Sequence, residues 1–126
     1  MPPAYDFGLF VGACRKGVDV YVTRGATVTA DRDFGLRTQF EVVAFVGNGG
    51  VETPAHANTE EWKNNPNAND PIYVDSYDFY SGPKYGYLAF MYNPTTKKWM
   101  IKSFKANDRG DPRFLALGLA LKKAGL

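Results

Sequence analysis

Apolar and polar residues alternate over much of the N-terminal third of the chain. In Val18–Thr23 three valines alternate with Asp, Tyr and Thr, which is the period-2 pattern of a half-buried strand. Lys16-Gly17 and Arg24-Gly25 flank this segment and are typical of turns. The pattern predicts a meander of strands between Tyr5 and Val46. Its predicted strands are 9–15, 18–23, 27–30 and 38–46.

Residues 47–71 lack this alternation and are rich in Asn, Pro and Gly. They predict a long polar loop that leaves the sheet, and loops of this length are often functional. Asn58 followed three positions later by Glu61 matches a capping box, so a short helix near Thr59–Asn65 is predicted inside the loop. Trp62 would anchor that helix to the core.

Strand patterns resume after Pro71 and are followed by a helical pattern. The predicted strands are Ile72–Tyr80, Tyr85–Tyr92 and Trp99–Lys105. The last two should form a hairpin, because residues 93–96, Asn-Pro-Thr-Thr, place Pro where its fixed φ suits a type I turn.

A C-terminal helix is predicted over 112–124. Asp111 can cap it, Pro112 suits its first position, and apolar residues recur from Phe114 to Leu121 at spacings of three and four. We expect this helix to lie against the sheet.

The elements together predict an α+β fold. The 126 residues suit one domain, 1–126, without separate cores. The expected architecture is a mainly antiparallel sheet of about six or seven strands, packed by the C-terminal helix and crossed by the loop 47–71.

Cysteine content and the N-terminus bear on the compartment. Cys14 is the only cysteine, so an intramolecular disulfide is impossible and a reducing compartment is indicated. The chain has neither the pattern of a signal peptide nor an apolar run long enough to span a bilayer. A cytoplasmic location without a membrane partner is therefore predicted.

Charge is unevenly distributed along the sequence. Residues 1–83 carry six basic and eleven acidic side chains, a formal charge of −5, whereas residues 84–126 carry nine basic and two acidic ones, a charge of +7. This segregation predicts a basic surface that attracts an acidic partner. The alternative is that the two halves interleave in one sheet and neutralise each other.

Aromatic residues are concentrated beside this basic segment. Residues 73–92 contain six of the eight tyrosines. If Trp99 faces the core, alternation places Lys98 and Lys102 outside, beside Tyr85 and Tyr87. Cations among aromatic rings suit a nucleic acid, and equally an acidic protein, although a basic surface over an aromatic core can also lack a partner. The predicted partner-binding residues are Tyr85, Tyr87, Lys98, Lys102, Lys105 and Arg109.

The sequence predicts no catalytic residues, no metal site and no cofactor. Cys14 is expected to be a small core residue, and the single histidine, His56, to lie exposed in the loop as a minor acid or base candidate. No metal-ligand spacing is visible. The tetrapeptide Asp-Phe-Gly-Leu occurs at 6–9 and at 33–36, which indicates either a duplicated hairpin unit or a coincidence.

One segment resembles a known enzyme family. Tyr87–Lys105, ending in Met-Ile-Lys-Ser-Phe-Lys, resembles the closing strands of small ribonuclease toxins of the RelE and MqsR type, over about twenty residues. Those toxins place helices before their sheet and end soon after it, whereas strands are predicted first here and a helix last. We therefore transfer no catalytic residues, and metal-independent RNA cleavage is the alternative function.

The favoured function is binding without catalysis. The partner would be acidic, either a protein or a nucleic acid, and the chain could serve as an inhibitor or an adaptor. A homodimer through edge strands is also compatible with an open sheet.

Overall fold

The computed structural model describes residues 1–67 and 69–125. These residues form four helices and five strands in one α+β domain, which confirms the predicted fold class. In chain order the elements are α1 (Phe7–Lys16), β1 (Val20–Val22), α2 (Arg24–Phe34), α3 (Gln39–Gly47), β2 (Glu52–Glu61), β3 (Tyr73–Ser81), β4 (Lys84–Asn93), β5 (Lys98–Ala106) and α4 (Pro112–Lys123).

The strands form a single mixed sheet in the order β1-β5-β4-β3-β2. Strands β2 to β5 are an antiparallel meander, and the short β1 joins its edge parallel to β5. The predicted strands after Pro71 are confirmed, and so is the hairpin of β4 and β5. The prediction of six or seven strands was too high, because most of the N-terminal third is helical.

Helices α1, α2 and α3 replace the strands predicted at 9–15, 27–30 and 38–46. Each begins at a side-chain cap, since Asp6, Thr23 and Thr38 accept hydrogen bonds from backbone amides in the first turn. Helices α1 and α2 end at Gly17 and Gly35, which adopt the left-handed conformation. Only β1 remains of the predicted N-terminal meander.

The region predicted as a long polar loop contains an edge strand. β2 pairs with β3, and Glu61 lies opposite Tyr73 where a short helix was expected. Seven of the ten β2 residues are exposed and only Thr59 is buried, so the strand lacks an apolar face that a sequence pattern could reveal. Irregular register on either side of Ala55 further weakens the alternation.

The core lies between one face of the sheet and helices α1 to α3. Phe10 of α1 stacks on Phe90 of β4, with ring centroids 3.9 Å apart. Phe34 of α2 and Phe45 of α3 both contact Phe104 of β5. Cys14 is buried as predicted, but in α1 rather than in a strand.

Burial also determines the chemistry of Cys14. It raises the pKa of the thiol to about 12. The reactive thiolate is therefore scarce at neutral pH, which agrees with a core role.

Helix α4 is confirmed, but its predicted packing is wrong. Asp111 caps it through the Arg113 amide, yet α4 makes no substantial packing contact with the other described helices and strands. Helices α1 to α3 already occupy the core face of the sheet, so α4 has no place in that layer. In the described part of the chain no helix combines the length and apolar character required to cross a membrane.

The two Asp-Phe-Gly-Leu segments have different structural roles. Asp6 caps the beginning of α1, whereas Gly35 ends α2. A duplicated unit would repeat its local structure, so this difference favours coincidence.

Candidate binding site on the open sheet face

The sheet has a second face, opposite the helices, which we call the open face. Along β3 the core residues Tyr77 and Phe79 alternate with Ser76 and Asp78, and the latter two point to the open face. Across the strands, Asp78 lies opposite Tyr87, which lies opposite Lys105. Helices α1 to α3 pack on the other face, and α4 meets the open face at Tyr80 through Asp111 and Arg113.

Two adjoining grooves run across the open face and meet at Tyr87 and Ser103. The first has a volume of about 280 Å³ and is bordered by Trp62 and Lys102. The second has a volume of about 350 Å³ and is bordered by Lys105 and Arg109. The meander thus brings residues from β2 to β5 into one continuous surface.

A bulge in β5 places two consecutive residues along the first groove. Ala89 pairs with Ser103 and Phe90 with Ile101, so Lys102 is an extra residue in β5. The Lys102 carbonyl accepts a hydrogen bond from the Thr23 hydroxyl at 3.2 Å, which ties the bulge to the start of α2. Bulges redirect side chains in this way, and here Lys102 and Ser103 both line the groove.

Each groove pairs an ammonium group with an aromatic ring. Lys102 Nζ lies 5.8 Å from the Trp62 ring centroid, and Lys105 Nζ lies 5.6 Å from that of Tyr87. These distances are within the range of cation–π attraction. Each pair therefore presents a positive charge beside an aromatic ring.

Acidic groups neutralise part of this basic surface. Arg109 pairs with Asp78, which also accepts a hydrogen bond from the Asn107 amide at 2.7 Å. Lys105 Nζ lies 3.3 Å from an oxygen of Asp108. Lys102 has no carboxylate within ion-pair distance among the described residues. The two halves of the sequence therefore interleave in one sheet. Lys102 and Lys63, which both line the first groove, are in none of the ion pairs of the described residues.

The structure brings together four of the six predicted binding residues, namely Tyr87, Lys102, Lys105 and Arg109. Tyr85 lies next to them on β4, where its ring is 5.1 Å from that of Tyr80. Burial, followed by the Asp78 carboxylate, raises the pKa of Tyr85, so its hydroxyl remains a hydrogen-bond donor at neutral pH.

Lys98 is placed elsewhere. It lies opposite Asn93 at the start of β5, about 23 Å from Lys105 at the rise of an extended strand. It therefore lies outside the two grooves.

Sequence reasoning missed the contribution of β2 to the surface. Asn58 and Glu60 line the first groove, and Trp62 stands at its edge rather than in the core. The capping-box pattern of Asn58 and Glu61 predicts a helix in this segment, and no apolar alternation indicates a strand.

His56 is not in an exposed loop as predicted but half-buried in β2. Its Nε2 lies 2.7 Å from the Thr59 hydroxyl, which donates to the buried Asp75 carboxylate at 2.6 Å. Asp75 also accepts the backbone amides of Ala4 and Tyr5 at 3.0 Å. The network fastens the N-terminal segment to the sheet, which is a structural role.

Comparison with known proteins does not assign the chain to a family or a fold group. No family model matches the chain, and neither the curated proteins nor the solved structures contain a significant match. The open face itself is therefore the feature that indicates function.

Proposed function

We propose that this protein is a non-enzymatic binding protein that engages an acidic macromolecule through the open face. The observation that carries the proposal is the pair of adjoining grooves in which Lys102 and Lys105 lie beside Trp62 and Tyr87. Cations on a sheet face can neutralise phosphates or carboxylates, while the rings supply contact area at low entropic cost.

A single-stranded nucleic acid is the partner class that suits this surface best. Unpaired bases stack on aromatic rings, and their edges form hydrogen bonds with amide and hydroxyl groups. Asn58, Ser76 and Ser103 supply such groups in the first groove. An acidic protein would use the same cations, but it would not stack on the half-buried rings of Trp62 and Tyr87 as unpaired bases do.

The acidic residues of the surface set an expectation for affinity. Glu60 lines the first groove and Asp108 the second, so part of the attraction to a polyanion is cancelled. We expect binding of moderate strength with a shallow salt dependence, because few cations are free to neutralise phosphates and the salt slope scales with their number.

Fluorescence anisotropy with a labelled single-stranded RNA tests the proposal, with duplex DNA as a second probe and a salt series for each. The variant K102E/K105E should bind RNA at least ~10-fold more weakly than the parent protein, because two attractive contacts become repulsive. The control is K97E/K98E, which makes the same change in charge at the far end of β5 and should bind nearly as the parent does. Equal losses in both variants would contradict the assigned surface, and urea unfolding checks that both fold.

The alternative function is metal-independent RNA cleavage, and one observation favours it. Helices α1 to α3 precede the β2–β5 meander, as helices precede the sheet in the RelE and MqsR type toxins, although β1 lies between α1 and α2 and α4 follows the sheet. Analysis of the RNA on a gel after the titration distinguishes the two functions: intact RNA supports binding, whereas shortened RNA supports cleavage. If RNA and DNA both fail to bind at low salt, a polyglutamate probe tests an acidic protein partner.

A further inference from the structure

Helix α4 has a broad apolar face that is exposed. Phe114, Leu115, Leu117, Leu119 and Leu121 are between 43% and 66% exposed, and at 100° per residue they cover an arc of about 200°, which leaves Ala116, Ala120 and Lys123 on the other side. A helix with so broad an apolar face is normally covered by protein or lipid. In this structure no residue of α4 between Pro112 and Lys123 is buried.

The beginning of α4 is attached to the sheet even though the rest is exposed. Asp111 accepts a hydrogen bond from the Tyr80 hydroxyl at 3.1 Å. The Arg113 guanidinium lies 3.7 Å from the centroid of the Tyr80 ring and donates to the carbonyls of Gly82 and Pro83 at 3.2 Å. These contacts hold the first turn at the β3–β4 turn. The remaining turns can therefore be covered without exposing any core residue.

The charges on α4 are all positive. Arg113 is near its beginning and Lys122 and Lys123 are in its last turn, and there is no acidic residue between 112 and 123. Arg113 is paired with Asp111, so Lys122 and Lys123 are the charges of α4 that a partner would meet. Two parallel copies of α4 would bring these lysines together, and two antiparallel copies would place them beside a neutral Arg113–Asp111 pair. The charge pattern therefore favours an anionic surface over a second copy.

The length of α4 limits how it can meet such a surface. Twelve residues span about 18 Å at 1.5 Å per residue, well short of the ~30 Å hydrocarbon core of a bilayer. The helix is therefore too short to cross a membrane, but it can lie in the interface with leucines in the acyl region and lysines at the headgroups. The prediction of no membrane partner rested on the lack of a spanning segment, which an interfacial helix does not need.

We propose that α4 binds the surface of membranes that contain anionic phospholipids. Insertion of the apolar side chains would supply most of the attraction, and Lys122 and Lys123 would add selectivity for negative headgroups. This site is separate from the grooves of the open face, so the proposal does not depend on the proposed function.

Flotation of the full chain with vesicles tests the proposal. The parent protein should float with phosphatidylcholine vesicles that contain phosphatidylserine, and much less with phosphatidylcholine alone. K122E/K123E should lower binding to the anionic vesicles at least ~10-fold, and L117S/L121S should lower it similarly at any salt concentration. K97E/K98E, a matched charge reversal outside α4, should float as the parent does.

Three outcomes would overturn the proposal. One is a parent protein that stays in solution with anionic vesicles at low salt. The second is equal loss of flotation in K97E/K98E and K122E/K123E, because binding would then reflect net charge. The third is a parent protein that sediments as a dimer and becomes monomeric in L117S/L121S, because a second copy would then cover α4.

Discussion

Gly47 is the residue at which α3 approaches α1 most closely. A Cβ built on Gly47 would lie 2.5 Å from the backbone nitrogen of Arg15, and the Arg15 side chain donates to the Gly47 carbonyl. A backbone neighbour cannot rotate away as a side chain can. The two helices could therefore accommodate a methyl group only by moving apart.

The substitution G47A should lower the free energy of unfolding by about 1–3 kcal/mol, the usual cost of overpacking. Gly12, in the interior of α1, is the matched control, since a Cβ there meets nothing within 4 Å. G12A should be neutral or stabilising by up to ~1 kcal/mol, because alanine favours the helix. Urea unfolding measures both variants, and equal stability of the two would contradict the close crossing.

Asp33 links the end of α2 to the end of β5. Its carboxylate accepts hydrogen bonds from Arg32 and from the Ala106 amide, both at 2.8 Å. The Arg32 hydrogen bond is the main reason that the pKa of Asp33 is lowered from its ordinary value. A carboxyl group with a lowered pKa in the folded state stabilises the fold above its unfolded pKa, and this contribution disappears as the pH falls through the folded value.

D33N should therefore be less stable than the parent at pH 7, by about 1 kcal/mol. The difference should shrink as the pH falls below about 4, where the carboxyl group of the unfolded chain becomes protonated. Urea unfolding of both proteins at pH 7 and pH 3 checks the sign. A difference that stays constant over this range would show that the carboxylate charge is unimportant here.

At the scale of elements, the sequence predicted β3, β4 and β5 because their periodicity agrees with their environment. It predicted α4 from its Asp111 cap, Pro112 and apolar spacing, although the apolar residues of α4 are exposed. It did not predict α2, in which Thr27, Val28 and Thr29 favour a strand by intrinsic preference. Tertiary contacts outweigh that preference: the Thr29 hydroxyl donates to the Phe104 carbonyl of β5 at 2.7 Å. β2 was missed for the opposite reason, since an exposed edge strand carries no apolar signal.

The candidate site was predictable in part, because β4 and β5 follow the alternation of strands with one buried face. Alternation along β4 and β5 identified the face that carries Tyr87 and Lys102, but not which residues lie opposite each other. The register pairs Tyr87 with Lys105, so Lys98, although predicted with them, lies far along the strand. Trp62 could not be assigned to the surface without knowing that β2 joins the sheet.

Helix α4 should contribute almost nothing to the stability of the domain, because its leucines are exposed and touch no core residue. L117S/L121S should therefore unfold within about 0.5 kcal/mol of the parent protein. Urea denaturation followed by tryptophan fluorescence checks this, since Trp62 and Trp99 both lie outside α4. A larger loss would mean that α4 packs on the domain in solution.

At the scale of the whole molecule, the sheet joins regions of opposite charge. Strand β3 belongs to the acidic part of the sequence, and β4 and β5 belong to the basic part, so a formal charge of +2 remains after mixing. Charge segregation along a sequence is therefore a poor guide to the surface when the strands are neighbours in space. Positive charge that is not neutralised in this way remains at separate places, at Lys102 on the open face and at Lys122 and Lys123 on α4.

The parallel pairing of β1 with β5 also has a consequence for biosynthesis. Val20 cannot pair in the sheet until Trp99, its partner, has been synthesised. Likewise, the amides of Ala4 and Tyr5 cannot donate to Asp75 until that residue has been synthesised. At ~5–20 residues per second, the roughly 80 residues between β1 and its partner take about 4–16 s to translate. Through that interval the three N-terminal helices leave the ribosome without the sheet that buries their phenylalanines. A chaperone that holds the nascent chain would therefore meet the first third of this protein before its sheet is complete.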